Sequence, residues 1–234
     1  MVGPFLESYN AHAAGIEHDF LIIDKGQKTE APAGYNVLKV NDFGYDFCAF
    51  GKLRGISNNY DYLVKLNSTS LILADNWLAN LYAAIRTDKA GIAGATGAWA
   101  SGRSMSHAKW REIVYPPFPN PHIRGTGFII ASDVFRKVWH RGLWHLSKPV
   151  KIRYLLEHGR DGLSVRIEKL GLKLLVVDKA GRIYEKQDWE ASQTFRTGTQ
   201  ENLMIADNQT LIYERASTLE RVWLSDTCWR NKYQ

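Results

Sequence analysis

Short apolar runs of strand length alternate with stretches of helical period through most of this chain, and that alternation restricts the fold more than any single motif. Phe5, Leu6, Tyr9, Ala13 and Ile16 recur at helical spacing, so the first turns read as an amphipathic helix. The run from Phe20 to Ile23 is continuously apolar and ends in Asp24, Lys25 and Gly26, the pattern of a buried strand emerging into a polar loop. Residues 35–41 predict a second, weaker strand and 47–56 a helix of small residues. A third strand over 60–66 runs into Asn67, Ser68 and Thr69. Asp75 stands where it can cap a helix striped by Trp77, Leu78, Leu81, Tyr82 and Ile85.

Residues 90–96 predict a strand so rich in Gly and Ala that another element must lie close against it. Residues 98–120 carry Gly, Ser, His and three prolines and read as a long loop, of the kind that is functional or mobile. A strand over 122–131 and a helix over 133–141 follow. Asp161 then caps a helix whose Leu163, Ile167 and Leu170 face inward and which Gly171 stops, ahead of a strand over 172–177. The tail holds helical pieces around Leu203 and over 218–228. Strands in alternation with helices predict an α/β fold: a mostly parallel sheet flanked by helices on both faces. At 234 residues the chain is long for one domain and short for two. It reads as a single domain, with a core over 1–180 and a C-terminal extension over 181–234 packed on it.

Lys and Arg number 30 against 24 Asp and Glu, a net charge of +6, but they are spread along the chain without a dense basic block. That argues against a nucleic-acid partner and reads first as a mildly basic solvated surface, with a phosphate-bearing ligand or an anionic membrane face as the alternative. Two cysteines, Cys48 and Cys228, are too few for a disulfide framework or a zinc cluster and read as buried thiols. No run reaches the roughly 18 apolar residues of a membrane span, and the first residues lack a signal peptide's charged-then-apolar layout. The expectation is a cytoplasmic protein, with peripheral association at the inner face of the membrane left open. In that compartment the triplets at Asn67 and Asn208 are glycosylation sites by pattern only.

In open α/β sheets ligands collect beyond the carboxyl ends of the strands. Three such ends are polar here: Asp24-Lys25-Gly26, Asn41-Asp42 and Asn67-Ser68-Thr69. Parallel strands bring them to one rim, where Asp24 can accept hydrogen bonds from a base or ribose and Lys25 can face a phosphate. Loop solvation is the alternative for both. The tail is dense in amides and carboxylates from Phe195-Arg196 through Gln200-Glu201-Asn202 to Asp207-Asn208-Gln209-Thr210. Sugar hydroxyls need such paired donors and acceptors, so Gln200 and Asn202 are acceptor-side candidates. A polar loop with helix caps explains the same residues. His107 and His122 flank the long loop, where either an acceptor contact or a packing role fits. No His-x-x-x-His spacing occurs and no zinc is expected.

The order of these motifs resembles the family 2 glycosyltransferases. Phe5-Leu6-Glu7-Ser8-Tyr9 and then Phe20 to Asp24 look like that family's first helix and second strand. Gly44-Tyr45-Asp46-Phe47, followed by Tyr60 to Ser68, is similar to the related rhamnan-synthesis glycosyltransferases. Gly91 to Gly97 and Gly125-Thr126-Gly127-Phe128 fit the middle and acceptor-side strands, and Gly162 to Gly171 resembles the helix after the catalytic acid. The resemblance spans residues 4–180 and rests on motif order.

It implies a type-A glycosyltransferase fold. The activity implied is transfer of a hexosyl or deoxyhexosyl group from a nucleotide-diphosphate sugar to a hydroxyl of a glycan or lipid-linked acceptor, in cell-surface polysaccharide synthesis. Under that reading the donor-side candidates are Asp24, Lys25, Asp46, Lys65, Asn67 and Ser68, and the acceptor-side candidates are Arg124 and Thr126, with His122, Gln200 and Asn202 added from their side-chain chemistry alone. Glu157 and Asp161 are the carboxylates near the place of the catalytic base. Such enzymes often hold Mg or Mn on an Asp-x-Asp motif, but that position reads Asn67-Ser68-Thr69, without a carboxylate, so no strong metal site is expected, and Asn67 and Ser68 are left to bond the sugar or to hold a weak metal through water. Lys65 and Arg124 can supply part of the missing charge. The chain starts at the family's first helix, so the strand lining the nucleobase pocket has no counterpart, and the tail or a partner is expected to cover a neighbouring edge. A non-catalytic glycosyltransferase-like domain that binds glycans or a partner is the alternative reading.

Overall fold

The computed structural model describes residues 2–26, 33–41, 46–105, 108–139 and 149–232, with only the backbone for 149–153. Asp42, Gly44, Tyr45, His107 and the end of the helix expected over 133–141 lie outside the described residues.

Helix α1 (Gly3–Ala11) leads into β1 (Leu21–Lys25), which pairs in parallel with β2 (Asn36–Val40). A short helix α2 (Asp46–Phe50) and 3-10 turns follow, then β3 (Tyr62–Leu66), the two-residue β4 (Leu71–Ile72), and α3 (Trp77–Ile85). Beyond β5 (Ala90–Gly94) and β6 (Gly97–Ala98), the long loop holds a 3-10 turn at Gly102–Met105 and α4 (Trp110–Val114). It returns as β7 (His122–Ile123) and β8 (Gly127–Ala131), followed by α5 (Ser132–Val138), α6 (Pro149–His158), α7 (Leu163–Lys169), β9 (Lys173–Val177) and β10 (Ile183–Tyr184). The tail adds β11 (Ile205–Ala206), α8 (Asn208–Arg215) and α9 (Thr218–Trp229).

The fold is α/β, but the principal sheet is mixed rather than mostly parallel. Its order is β10-β9-β5-β8-β3; β5 and β9 run parallel, whereas β8 is antiparallel to both β5 and β3, and β10 to β9. The reversal at β8 has a local cause. Among the described residues between β5 and β8, no crossover helix packs back along the sheet. The chain leaves through β6 and comes back through β7, which pairs with β6 antiparallel, so β8 re-enters in the opposite direction.

Side chains alternate strictly between the two faces. Ile92, Phe128, Ile130, Leu174 and Val176 join one core with Phe47, Phe50, Phe135 and Ile167 from α2, α5 and α7. Ala93, Ile129, Leu175 and Val177 join the other with Trp77, Leu78, Leu81 and Ile85 from α3. Helices therefore cover both faces, as the alternation predicts. The small residues of β5 have the expected reason: a Cβ at Gly91 would collide with Ile167 of α7, and one at Gly94 with Ile123.

Several local expectations change. The α3 helix begins after Asn76, without a side-chain cap; Asp75 instead accepts from the Ala13 backbone N–H at 3.0 Å and ties the α1–β1 connection to α3. Helix α7 begins after Gly162, and Asp161 is turned to Arg166 rather than capping. No helix forms around Leu203; the tail's first helix is α8, closed by a capping box between Asp207 and Thr210. β1 and β2 do not join the principal sheet, whose outer strand is β3 among the described residues. The described tail elements pack elsewhere: β11 pairs with β4, and Trp229 of α9 packs against Trp99. Cys228 is buried and Cys48 half-buried, and both are free. Burial pushes the Cys228 thiol up to about 11, against the pull of Arg196 and Arg124.

Candidate functional site

A lysine on the buried face of a strand must find acceptors, because an unpaired ammonium is too costly to desolvate. Lys65, next to last in β3 and 3% exposed, has one for each ammonium hydrogen. It donates to Asp46 Oδ2 at 2.8 Å, to Asn67 Oδ1 at 2.6 Å and to the Gly125 carbonyl, with the Phe47 ring 4.9 Å from Nζ. Position 125 must be glycine, since a Cβ there would collide with Phe47. The Gly125 N–H in turn donates to Glu157 Oε1 at 3.1 Å, which fixes this 8% exposed carboxylate of α6 beside the β7–β8 turn. Ser70 completes the frame, donating to the Thr126 carbonyl at 2.8 Å and accepting from the Asn67 N–H at 3.2 Å.

The structure thus brings Asp46, Lys65, Asn67, Glu157 and the stretch from His122 to Thr126 to the carboxyl end of β3. Arg124 lies there too, but its guanidinium is committed: it donates to Asp207 Oδ2 at 2.7 Å and covers the Phe195 ring at 4.1 Å. Burial lowers the Arg124 pKa, but Asp207 and Glu157 outweigh it and leave it raised. Burial likewise pushes Asp207 up, yet Arg124 and the hydrogen bonds from Arg124, Thr210 and Thr126 bring it below its ordinary value. His122 Nδ1 meets the Asn120 carbonyl at 2.8 Å, and its ring stacks on His158 at 4.8 Å, which stacks in turn on Tyr115 at 5.2 Å. Burial lowers the His122 pKa against the opposing Glu157 charge. It lowers His158 well below the ordinary value, helped by His122 and Arg124. Neutral rings are therefore the rule in this stack.

The other candidates sit differently. Asp24 and Lys25 end β1, and Asp24 Oδ2 is buried without a hydrogen-bond partner. Ser68 is exposed on the turn after β3. Asp161 is 44% exposed and pairs with Arg166 at 2.5 Å, away from the Gly125 hydrogen bonds. Gln200 and Asn202 serve the tail: the Gln200 amide bridges the Arg196 N–H and the Thr210 carbonyl, and Asn202 donates to the Ser192 carbonyl. Sequence reasoning missed the roles of Gly125, Asn120 and His158. The sequence marked Gly125 as part of a strand motif and Glu157 as a carboxylate, but nothing local showed that the two would meet.

A divalent cation needs carboxylate oxygens. The Asn67-Ser68-Thr69 turn offers an amide and two hydroxyls, and the carboxylate linked to it, Asp46, is held by the Lys65 ammonium. These residues do not fit a metal. Among the described residues no group of three or more His, Cys, Asp or Glu comes together that could hold one. A surface concavity of about 640 Å³ opens elsewhere, among Gln187, Glu190, Gln193, Thr197 and Arg230. Arg230 already pairs with Glu190 at 2.7 Å, and none of the buried charges described above lines this concavity, so it is a weaker candidate than the β3 cluster. Among the described residues no helix is long and apolar enough to cross a membrane. No protein-family model matches the chain, and the search of curated proteins finds no match.

Proposed function

We propose that the chain is a type-A-like glycosyltransferase domain that moves a sugar from a nucleotide-diphosphate donor to a hydroxyl of a glycan or lipid-linked acceptor. The observation that carries the reading is Glu157: a buried carboxylate fixed by the Gly125 N–H at the carboxyl end of β3, beside the Lys65, Asp46 and Asn67 cluster. Ligand sites in open α/β sheets gather at strand carboxyl ends. Glu157 takes the proton of the acceptor hydroxyl as its oxygen bonds to the anomeric carbon. The bond from that carbon to the diphosphate oxygen breaks, and the electron pair leaves with the diphosphate. Asp24, with an unpartnered buried oxygen at the end of β1, accepts from the base or ribose, and Lys25 beside it meets the leaving phosphates.

A second reading, a non-catalytic relative that binds glycans or a partner, is favoured by Lys65. Its ammonium bonds Asn67, the residue at the position of the metal motif in the resembled family, and is met by three protein acceptors.

The test is release of nucleoside diphosphate from a panel of nucleotide sugars by the wild type and by Glu157→Gln. The amide oxygen of Gln can still accept from Gly125, so the fold persists. Loss of a general base typically lowers turnover by about 10²–10⁴. Turnover retained by the variant rules out Glu157 as base, and binding of a donor without turnover by the wild type supports the second reading.

A further inference from the structure

The long loop between β6 and β7 presents apolar side chains to solvent in a setting of predominantly positive charge. Ile113 is 75% exposed, Met105 56% and Trp110 36%. Trp110 and Ile113 stand three residues apart on α4 and so share a face. The turn bearing Met105 is bound to α4 through Arg111, which donates to the Gly102 carbonyl at 2.6 Å, and through the Arg103–Glu112 pair at 3.0 Å. Tyr154, also exposed, and Arg160, whose N–H donates to the Val114 carbonyl, border the same segment. Among the described residues of this segment, Arg103, Lys109, Arg111 and Arg160 stand around these apolar groups, with Glu112 as the carboxylate within it. The Arg111 guanidinium lies 5.0 Å from the Trp110 ring.

We propose that this surface seats the protein on an anionic bilayer. Apolar side chains ringed by Lys and Arg, with Trp and Tyr among them, match the boundary between headgroups and acyl chains. The charge excess selects an anionic lipid surface over a protein partner, which would have to bring a comparably acidic face. The segment is also tied to the candidate site: Tyr115, directly after α4, stacks on His158, next to Glu157. The bilayer therefore lies on the side from which an acceptor reaches Glu157, and the acceptor class is lipid-linked. That corollary rests on the glycosyltransferase reading; the membrane contact does not.

The experiment is co-sedimentation of the full chain with vesicles of phosphatidylcholine alone and of phosphatidylcholine mixed with phosphatidylglycerol. Binding is expected to the mixed vesicles and to fall as salt rises. Each cation near an anionic surface contributes about fivefold in partitioning, so Lys109→Glu, a change of two charges, lowers it by about 25-fold. Ile113→Asp lowers it at least as much. Both positions are exposed, so the melting temperatures of the variants should match the wild type. No binding to the mixed vesicles at low salt, or binding that neither substitution weakens, overturns the proposal. Nucleotide binding measured on the same samples separates the two readings: vesicle binding without nucleotide binding sinks the enzymatic function and leaves the membrane surface standing.

Discussion

Asp207→Asn isolates the charge of a buried pair while keeping the shape and hydrogen-bonding role of the side chain. The carboxylate is 1% exposed; one oxygen accepts from Arg124 at 2.7 Å, and the other from the Gln209 and Thr210 N–H groups at 2.8 Å each. Asparagine is as good a helix N-cap as aspartate, so α8 keeps its first turn. Arg124 is left as a buried cation without its counter-charge, a loss that typically costs about 3–5 kcal/mol. The remaining exposure of Arg124 and the Phe195 ring beneath it put the expected loss near the lower end, about 3 kcal/mol. Asp207→Ala also loses the cap and should cost about 1 kcal/mol more. Against a usual domain stability of about 5–15 kcal/mol, either change is large. In urea denaturation the midpoint of Asp207→Asn should fall by about 1 M or more. The Asp207 pKa is lowered on folding, so its contribution is full above the unfolded value of about 4 and is lost as pH falls through the folded one. A variant within about 0.5 kcal/mol of the wild type would refute the argument that Arg124 is a structural lock rather than an acceptor contact.

Three further outcomes follow from the same geometry. Lys65→Met should lower stability by about 3 kcal/mol, because it leaves the Gly125 carbonyl without its donor and Asp46 without its counter-charge. Calorimetric melting should register a drop of about 6–12 °C, and an unchanged melting temperature would remove Lys65 as the organiser of the cluster. Folding lowers the pKa of His158 and His122, so the unfolded chain binds more protons below its value of about 6.5; stability should therefore fall as pH drops through that value and level off above it. Urea midpoints measured across that range should show this slope, and His158→Phe should flatten it; an identical slope in the variant would place the titration elsewhere. Asp24→Ala should weaken nucleotide binding without loss of fold, and unchanged affinity by calorimetry would take Asp24 out of the donor pocket.

The period of the sequence carried the layered α/β arrangement, because apolar alternation and helical stripes are local signals. Gly91 announced close packing, since only a missing Cβ admits Ile167. The direction of β8 was not legible: a buried antiparallel strand such as Gly127–Ala131 has the same apolar composition as a parallel one. The separation of β1–β2 from the principal sheet was hidden for a similar reason, as sheet membership depends on distant edges. At the candidate site, Glu157 and Asp161 differ in partners that the local sequence did not mark, one of them distant and one near. Gly125, 32 residues from Glu157, holds one carboxylate inside, while the other, half-exposed, pairs with the buried Arg166 five residues on. The amides of the tail read equally well as a ligand surface or as loop hydrogen bonds; in the structure Gln200 and Asn202 make the latter.

The central claim is a donor site at the strand ends, tested most directly by calorimetric titration of the wild-type protein with UDP, GDP and dTDP, each with and without Mn²⁺. The account predicts saturable binding of one nucleotide that Mn²⁺ leaves unchanged, because Asn67, Ser68 and the lysine-bound Asp46 do not fit a cation. Failure of a well-folded sample to bind any of the three would contradict the donor site, and binding that required Mn²⁺ would contradict the arrangement argued around Lys65.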